Sequence, residues 1–195
     1  MRYCVIGEKL THSMSPQIHK AYFDYYKMKS SYGIEQIPMQ DMLSGDCDQV
    51  LRGYDGFNVT VPYKEKVMKY LAGISAEAKS IGAVNTVVNS NGSLYGYNTD
   101  PYGFENLLKS NGIKIKDCSF VILGSGGASK SVKYILKKRG ANSVLVATRD
   151  AEKAKEDGFI SYDLLKNYKA NALINTTPVG MYPNSDSCPV SEDII

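Results

Sequence analysis

Two ionisable side chains, Lys64 and Asp100, have the types that an acid–base pair requires. Lys64 follows an apolar, strand-like run, and Asp100 ends a short polar run that precedes a predicted helix. A lysine can donate a proton to an alkoxide that forms during hydride transfer, and a carboxylate can orient that lysine and keep it protonated. Taken singly, however, Lys64 is typical of a surface charge and Asp100 of a turn or cap residue before proline.

Hydroxyl and amide side chains suited to a polyhydroxylated ring lie close to these two residues in the sequence. Ser13 and Ser15, spaced i and i+2, could hydrogen-bond a carboxylate, although serines before a helix are most often N-caps. Asn85 offers both a donor and an acceptor. The polar residues form four clusters, at 12–15, 58–64, 82–86 and 97–100; we expect three to follow parallel-type strands and the fourth to end a hairpin. Since ligands of open α/β sheets bind outside the carboxyl ends of the strands, the clusters should meet in one crevice.

A glycine-rich loop at 124–129 is the clearest nucleotide-binding signal. It follows an apolar strand-like run and leads into a helical pattern, which is the context that a dinucleotide fingerprint requires. Gly124 permits the tight turn, and Gly126 lets backbone amides approach a pyrophosphate at the positive end of the helix. The predicted cofactor-binding residues of this loop are Gly124, Ser125, Gly126, Gly127, Ala128 and Ser129.

The residues after the next predicted strand bear on which nucleotide is bound. Arg149 follows Thr148 at the strand end, and Lys153 lies one helical turn further on, so both cations could bind an adenosine 2′-phosphate. Asp150 could instead accept a hydrogen bond from the free 2′-hydroxyl of NAD, or cap a helix that starts at Ala151. Because adjacent helical residues do not share a face, the pattern favours NADP, with NAD possible.

Short β-branched runs alternate with helical patterns, which predicts an α/β fold: an N-terminal, mainly parallel α/β domain followed by a Rossmann-type dinucleotide-binding domain from about residue 101. Asn91-Gly92 predicts a tight hairpin turn, and Asn111-Gly112 a left-handed helix end. The predicted strands are 3–6, 32–37, 56–61, 84–88, 94–97, 120–123, 144–147 and 172–174. The predicted helices are 16–26, 41–51, 64–71, 76–81, 102–111, 128–139 and 163–168.

Composition narrows the function classes. The 195 residues carry a net charge of +3 with both signs interspersed, which argues against nucleic-acid binding, and no apolar run is long enough for a membrane span. Four dispersed cysteines are typical of free thiols in a reducing cytoplasm. The two histidines, His12 and His19, have no cysteine cluster nearby, so no metal site is predicted. A monomer and a homodimer both remain open.

Six ordered motifs, spread over nearly the whole chain, together resemble the shikimate dehydrogenase family. In order they are Gly7 with His12-Ser13-Met14-Ser15-Pro16-Gln17-Ile18-His19, Phe57-Asn58-Val59-Thr60-Val61-Pro62-Tyr63-Lys64, Gly82-Ala83-Val84-Asn85-Thr86, Asn98-Thr99-Asp100, Gly124-Ser125-Gly126-Gly127-Ala128-Ser129, and Asn175-Thr176-Thr177-Pro178-Val179-Gly180-Met181. The resemblance implies reversible, NADPH-dependent reduction of 3-dehydroshikimate to shikimate in aromatic amino-acid biosynthesis. It also implies a shikimate-binding domain at 1–100, an NADP-binding domain at 101–195, and a chain shorter at its C-terminus than other members.

The resemblance further implies roles for individual residues. Lys64 would be catalytic with Asp100 as its partner, and the segment 175–181 would border the nicotinamide. Substrate would be bound by Ser13, Ser15, Asn58, Thr60, Lys64, Asn85 and Asp100, and cofactor additionally by Thr148, Arg149, Lys153, Thr176, Thr177, Pro178 and Met181. Two alternatives stay open: an NAD-using quinate/shikimate dehydrogenase, and a module that holds ligand without turnover.

Overall fold

The structure, a computed structural model, describes residues 1–10, 13–182 and 184–194. His12, part of the first motif, therefore lies outside the described residues. The chain divides into two compact units, Met1–Thr99 and a second that starts at Asp100. Each unit contains one sheet.

The sheet of the first unit has six strands in the order β2-β1-β3-β5-β6-β4. They are β1 (Arg2–Gly7), β2 (Ser31–Gln36), β3 (Gly56–Val59), β4 (Gly73–Ile74), β5 (Thr86–Ser90) and β6 (Ser93–Tyr97). β5 runs antiparallel to both of its neighbours, and the other pairs are parallel. Asn91 and Gly92 join β5 to β6 with φ values of 51° and 85°. The predicted hairpin is thus confirmed, because a tight turn of this kind needs two left-handed residues.

The helices of the first unit are α1 (Ser15–Tyr25), α2 (Met39–Ser44), α3 (Asp48–Arg52) and α4 (Ala76–Ile81), with a 3₁₀ helix at Lys66–Tyr70. All of them except α1 contribute to a core on one face of the sheet, and α1 packs through Phe23 and His19 against Tyr3 and Tyr32. The single helix predicted for 41–51 is wrong, since Gly45 ends α2 in a left-handed conformation and α3 starts anew. The core contains Cys4, Ile6, Phe57, Val59 and Leu94, which alternate with residues on the opposite face of their strands.

The second unit has a fully parallel four-stranded sheet in the order β10-β7-β8-β9. Its strands are β7 (Ser119–Leu123), β8 (Ser143–Thr148), β9 (Phe159–Ser161) and β10 (Ala172–Asn175). Its α-helices are α5 (Asp100–Ser110) and α6 (Gly127–Lys138). Three 3₁₀ helices lie at Lys153–Lys155, Tyr162–Asn167 and Glu192–Ile194. The chain leaves β7 toward β8 and β9 on one side and returns to β10 on the other. The strand order therefore reverses at β7, and ligands of open α/β sheets bind at such a switch point.

Both faces of this second sheet are buried. Phe120 and Ile122 of β7 point into one core, whereas Val121 and Leu123 point into the other. A parallel strand covered on both faces reads as a continuous apolar run, and Ser119–Leu123 has that pattern. The α/β fold with a Rossmann-type second half is confirmed. The very short strands β4 and β9 were not predicted, because two or three residues carry too little periodicity.

Candidate functional site

Three of the four polar clusters, at 58–64, 82–86 and 97–100, lie at the end of the first sheet where β3 and β6 stop. Ile6 pairs with Val59, Asn58 with Thr86, and Thr86 with Tyr97. One expectation needs correction: the cluster 82–86 does not follow a parallel strand but leads into β5, which begins at Thr86. Because β5 is antiparallel, its start lies beside the carboxyl ends of β3 and β6, so the cluster still reaches the predicted edge.

Asn85 is the centre of a dense hydrogen-bond network at this edge. Its side chain is buried, with 9% exposed, and Oδ1 accepts from the Thr86 hydroxyl at 2.9 Å and from the Thr99 backbone N–H at 3.0 Å. Nδ2 donates to the Thr99 hydroxyl at 2.9 Å. Nearby, the buried Asn98 side chain donates to the Ala83 carbonyl at 2.9 Å. The amide orientation of Asn85 is therefore set by three partners.

Lys64 lies in a tightly held turn between β3 and the 3₁₀ helix. The helix predicted to start at Lys64 starts at Lys66, so Lys64 is not in a helix. Its backbone carbonyl accepts from Val84 N–H at 2.7 Å, and the preceding Tyr63 is fully buried, with its hydroxyl bonded to the Ile37 carbonyl. The Val61-Pro62 peptide bond before it is cis. The lysine side chain thus starts from an anchored backbone position at the end of β3.

Asp100 is the first residue of α5 and the first of the second unit. It directly follows Thr99, whose backbone N–H and hydroxyl are both bound to the Asn85 side chain. Thr60 also sits at an anchored position, since its N–H donates to the Ile6 carbonyl at 3.0 Å and its carbonyl accepts from Tyr63 N–H at 2.9 Å. Backbone contacts therefore fix Thr60, and Asp100 follows directly on a residue that the Asn85 side chain holds.

Ser13 and Ser15 lie at the start of α1, but not in the capping arrangement that one interpretation expected. The helix starts at Ser15 itself, its N-cap is Met14, and no side chain caps it. The Ser13 hydroxyl oxygen accepts from the Ser15 backbone N–H at 3.3 Å. The N-cap interpretation of Ser15 is wrong, and the Ser13 hydroxyl satisfies the first N–H of α1 from the position before the N-cap.

Asn58 and an unpredicted residue, Tyr32, complete this site. The Tyr32 hydroxyl donates to Asn58 Oδ1 at 2.6 Å, while Asn58 Nδ2 reaches the Asn85 carbonyl at 3.4 Å and the Thr86 hydroxyl at 3.3 Å. Burial raises the pKa of the Tyr32 phenol. An aromatic residue at the start of a strand is typical of packing, so the sequence carries no signal that Tyr32 belongs here.

The glycine loop of the second unit is shaped by backbone geometry. Gly124 has φ +96°, and a Cβ there would lie 2.8 Å from the Thr177 methyl carbon, so the turn excludes a side chain. A Cβ on Gly126 would meet nothing within 4 Å, which leaves open space over the loop. Gly126 is also the N-cap of α6 and gives no side-chain cap to the first N–H groups. Those groups can therefore serve an anion.

Residues after β8 fold back over this loop. Lys153 Nζ donates to the Ser125 carbonyl at 3.4 Å, so its charge lies beside the glycine turn. The buried Thr148 hydroxyl lies 3.4 Å from the Ser125 hydroxyl. Asp150 Oδ1 accepts from the N–H groups of Glu152 at 3.1 Å and of Lys153 at 3.2 Å. The helix expected to start at Ala151 is absent, and the N-cap of the short 3₁₀ helix at Lys153–Lys155 is Glu152; Asp150 instead holds the turn that precedes it.

The segment after β10 lies against the same loop. The Thr176 hydroxyl donates to the Leu123 carbonyl at 2.7 Å, and the Thr177 methyl carbon borders Gly124. The Asn175 side chain holds the turn, accepting from the Thr177 N–H at 2.9 Å and donating to the Val179 carbonyl at 2.9 Å. Met181 is exposed. The Thr176–Thr177 pair is thus fixed beside the switch point.

Other site types find no support in the part of the chain that the structure describes. Within 1–10, 13–182 and 184–194, no group of three His, Cys, Asp or Glu side chains could hold a metal ion. The four cysteines are free thiols. No helix in the described ranges is long and apolar enough to cross a membrane.

Comparisons with known proteins agree with this geometry. The family model described as shikimate dehydrogenase substrate binding domain matches residues 5–87. A shikimate dehydrogenase (NADP(+)) from Clostridium beijerinckii is 43% identical over 99% of this chain, which spans 73% of that protein.

Solved structures are similar over both units. Shikimate dehydrogenase 1 from Peptoclostridium difficile matches 99% of this chain and 73% of its own, with 43% identity and a TM-score of 0.92. The shikimate 5-dehydrogenase from Thermus thermophilus, solved in complex with NADP(H) and shikimate, covers 100% of this chain and 75% of its own, with 34% identity and a TM-score of 0.84.

A substrate-type α/β unit joined to a Rossmann-type unit, with polar strand ends in the first and a glycine loop in the second, defines a two-domain dinucleotide-dependent class of protein. Within that class, the chain belongs to the shikimate dehydrogenase family. The family membership that the six motifs predicted is confirmed.

Proposed function

We propose that this chain is a shikimate dehydrogenase, which reversibly reduces the ketone of 3-dehydroshikimate to the hydroxyl of shikimate at the expense of NADPH. The observation that carries the proposal is the set of amides and hydroxyls that converge at one edge of the first sheet. Asn58, Asn85, Thr86 and Thr99 hydrogen-bond one another there. A ring with several hydroxyls needs such alternating donors and acceptors. The names of the relatives supply the particular substrate.

We assign substrate binding to residues of this edge and at the start of α1. Ser13 and Ser15 would hold the carboxylate at the start of α1, where the peptide dipole favours negative charge. Asn58, Thr60 and Asn85 would bind ring hydroxyls. The backbone bonds that hold Thr60 and Asn85 keep them in place before substrate arrives, which lowers the ordering cost of binding.

Lys64 would deliver the proton in the reductive direction. When bound, NADPH supplies the hydride that converts the carbonyl carbon into an alkoxide-bearing carbon. The Lys64 ammonium would donate its proton to that developing oxygen anion and recover it from the alcohol in the oxidative direction. Asp100 would accept a hydrogen bond from the ammonium and a substrate hydroxyl, which keeps Lys64 protonated.

The second unit fits a dinucleotide cofactor. The open space over Gly126 and the N–H groups at the start of α6 suit a pyrophosphate. Gly124, Ser125, Gly127, Ala128 and Ser129 would complete this cradle. Arg149 and Lys153 would bind the adenosine 2′-phosphate, while Thr148 supports the strand end. Thr176, Thr177, Pro178 and Met181 would border the nicotinamide.

NADP is the preferred cofactor in this proposal because Asp150 is occupied elsewhere. Its Oδ1 already accepts from two backbone N–H groups of its own turn. These bonds hold the carboxylate in its own turn, and the two nearby cations, Arg149 and Lys153, favour a 2′-phosphate.

The remaining parts of the proposal concern the whole chain. We assign shikimate binding to residues 1–100 and NADP binding to 101–195. We expect a cytoplasmic protein, because it would draw on the NADPH pool and its four thiols are free. A monomer and a homodimer remain alternatives that light scattering during size-exclusion chromatography separates.

The proposal is tested by an assay of the purified chain with shikimate and with quinate, each against NADP and NAD. Formation of reduced nucleotide is followed by its absorbance, and shikimate binding is measured in parallel by calorimetry. We expect turnover with shikimate and NADP to exceed the other three combinations. Turnover with quinate and NAD at comparable rates would instead favour a quinate/shikimate dehydrogenase. Shikimate binding without any turnover would identify a ligand-binding module.

A further inference from the structure

The hydroxyl of Tyr32 contacts Asn58, one of the residues that we assign to the substrate. It donates to Asn58 Oδ1 at 2.6 Å, which is a short bond for a neutral pair. Burial raises the Tyr32 pKa, and the neighbouring Ser15 side chain opposes that shift. Tyr32 belongs to β2, whereas its partners belong to α1 and β3, so one phenol connects three elements.

The ring of Tyr32 is held as firmly as its hydroxyl. The His19 imidazole stacks on it with a centroid distance of 3.8 Å and an interplanar angle of 13°. His19 Nδ1 lies 2.9 Å from the Ser15 carbonyl oxygen, and since a carbonyl only accepts, Nδ1 carries the proton. The Ser15 carbonyl in the first turn of α1 therefore holds the imidazole, and the stacked imidazole holds the phenol ring in place.

The Tyr32 hydroxyl engages one particular end of the Asn58 amide. An amide side chain presents an acceptor at one end and two donors at the other. Tyr32 engages the oxygen end through a short bond, whereas the NH₂ end makes bonds of 3.4 Å to the Asn85 carbonyl and 3.3 Å to the Thr86 hydroxyl. Those bonds are longer than the usual N–H···O distance of about 2.9–3.0 Å, so an incoming oxygen can replace them at small cost.

The amide is also within reach of a ligand. Asn58 is half-buried and, with Tyr32, His19 and Thr86, borders a cavity of about 320 Å³ in the first unit. Asn58 is thus open to a ligand, and the NH₂ end of its amide is the more weakly bonded end.

We propose that Tyr32 is a positioning residue that turns the Asn58 amide so that its NH₂ end, and not its oxygen, meets a hydroxyl oxygen of the substrate. The inference rests on the proposed function and deepens it, because it states which hydrogen-bond polarity the first unit presents to the ring. Without the phenol hydroxyl, the Asn58 amide can rotate and present its oxygen to the substrate. Only a fraction of the molecules then has the correct amide orientation, and the apparent affinity for substrate is reduced in proportion to that fraction.

The test is Tyr32→Phe, which deletes one oxygen and keeps the ring that stacks on His19. We expect the Michaelis constant for shikimate to rise about tenfold, equivalent to about 1.4 kcal/mol, as befits one hydrogen-bonded partner. The turnover number should stay within about threefold of wild type, because Lys64 is untouched. A Michaelis constant equal to that of wild type would overturn the proposal.

Tyr54→Phe is the matched control. The Tyr54 hydroxyl donates to Glu35 Oε2 at the same distance of 2.6 Å, in the same unit, and burial with the Glu35 contacts raises its pKa to about 12. This variant should lose comparable thermal stability and keep a wild-type Michaelis constant. If both variants raise the Michaelis constant equally, Tyr32 has only a structural role.

A double-mutant cycle with Asn58→Ala shows whether Tyr32 acts through Asn58. In the Asn58→Ala background, Tyr32→Phe should raise the Michaelis constant by less than about twofold, because the group it orients is gone. An undiminished effect in that background would overturn the proposal.

Calorimetric titration of shikimate into the same variants separates this proposal from the proposed function. If wild type binds shikimate without turnover, the dehydrogenase assignment fails, while the affinity changes still test Tyr32. If wild type turns over and Tyr32→Phe behaves like Tyr54→Phe, the Tyr32 proposal fails alone. A wild-type chain that neither turns over nor binds shikimate would overturn both.

Discussion

The two candidate sites consist of different chemical groups. In the first unit, the site consists of side chains that hydrogen-bond one another, such as Asn85 with Thr86 and Thr99. In the second unit, the glycine loop offers space and backbone N–H groups, and Gly126 carries no side chain at all. The first site depends on residue type, and the second on backbone conformation.

This difference predicts different responses to substitution. Replacing one side chain of the first site removes a specific partner, and it should change binding or chemistry with modest effects on stability. A side chain added to the glycine loop either fills ligand space or strains the turn, depending on the φ angle. The following variants test that distinction, from the largest expected effect to the smallest.

Lys64→Ala should have the largest effect, because it removes the proposed proton donor. We expect the turnover number to fall about 10²–10⁴-fold, as is usual for a positioned acid–base group. Shikimate affinity, measured by calorimetry, should change far less. Lys66→Ala, at the start of the following 3₁₀ helix, is the matched control and should retain activity. Near-normal turnover of Lys64→Ala would remove this residue from the mechanism.

The double variant Ser13→Ala/Ser15→Ala tests whether the first site binds substrate through these two hydroxyls, without changing the proposed proton donor. We expect the Michaelis constant for shikimate to rise by more than about tenfold, because charge-assisted hydrogen bonds contribute about 1.5–3 kcal/mol each. Stability should fall by no more than about 1 kcal/mol, since the pair makes one long bond of 3.3 Å to the first N–H of α1 and Ser15 is not its N-cap.

Ser75→Ala is the control for the serine pair. The Ser75 hydroxyl does cap its helix, accepting from the Ala78 N–H at 3.2 Å. This variant should lose about 1 kcal/mol of unfolding free energy and leave the Michaelis constant unchanged. If the double serine variant loses stability and keeps its affinity, Ser13 and Ser15 serve the helix and not the substrate.

Gly126→Ala and Gly124→Ala test the second site as a pair. Gly126 has φ −85° and open space around a Cβ, so alanine should leave the melting temperature unchanged. The added methyl would occupy ligand space, and we expect NADP affinity to fall about tenfold. Gly124→Ala should also lower stability, because left-handed φ costs an alanine about 1–2 kcal/mol. Unchanged NADP affinity in Gly126→Ala would contradict a pyrophosphate site there.

Arg149→Ala should give the most selective change, limited to one phosphate. NADP affinity should fall at least about tenfold while NAD affinity stays near wild type. Asp150→Ala is the comparison: it should lose about 1 kcal/mol of stability with its two bonds to backbone N–H groups and keep the preference for NADP. An equal loss of affinity for NADP and NAD in Arg149→Ala would contradict the 2′-phosphate assignment. A preference of the wild-type chain for NAD would contradict it too.

Much of the architecture follows from local sequence. Asn91-Gly92 determines the hairpin because its backbone preferences act over two residues, and the apolar run at Ser119–Leu123 indicates a strand buried on both faces. The prediction of one helix at 41–51 was wrong because Gly45 ends α2 there, although the sequence on either side has a good helical pattern. The prediction that Ser15 is an N-cap was wrong because Ser15 is itself the first helical residue and Met14 is the N-cap.

The sequence by itself determined the family, the α/β class, the order of most elements and the residue types at the strand ends, because motifs and periodicity are local properties. Tertiary structure alone decided which atoms meet. Tyr32 bonds Asn58 across 26 positions, and Lys153 bonds the Ser125 carbonyl across 28. Those contacts depend on which strands lie side by side, and strand order is set by packing over the whole sheet, so no local pattern encodes them.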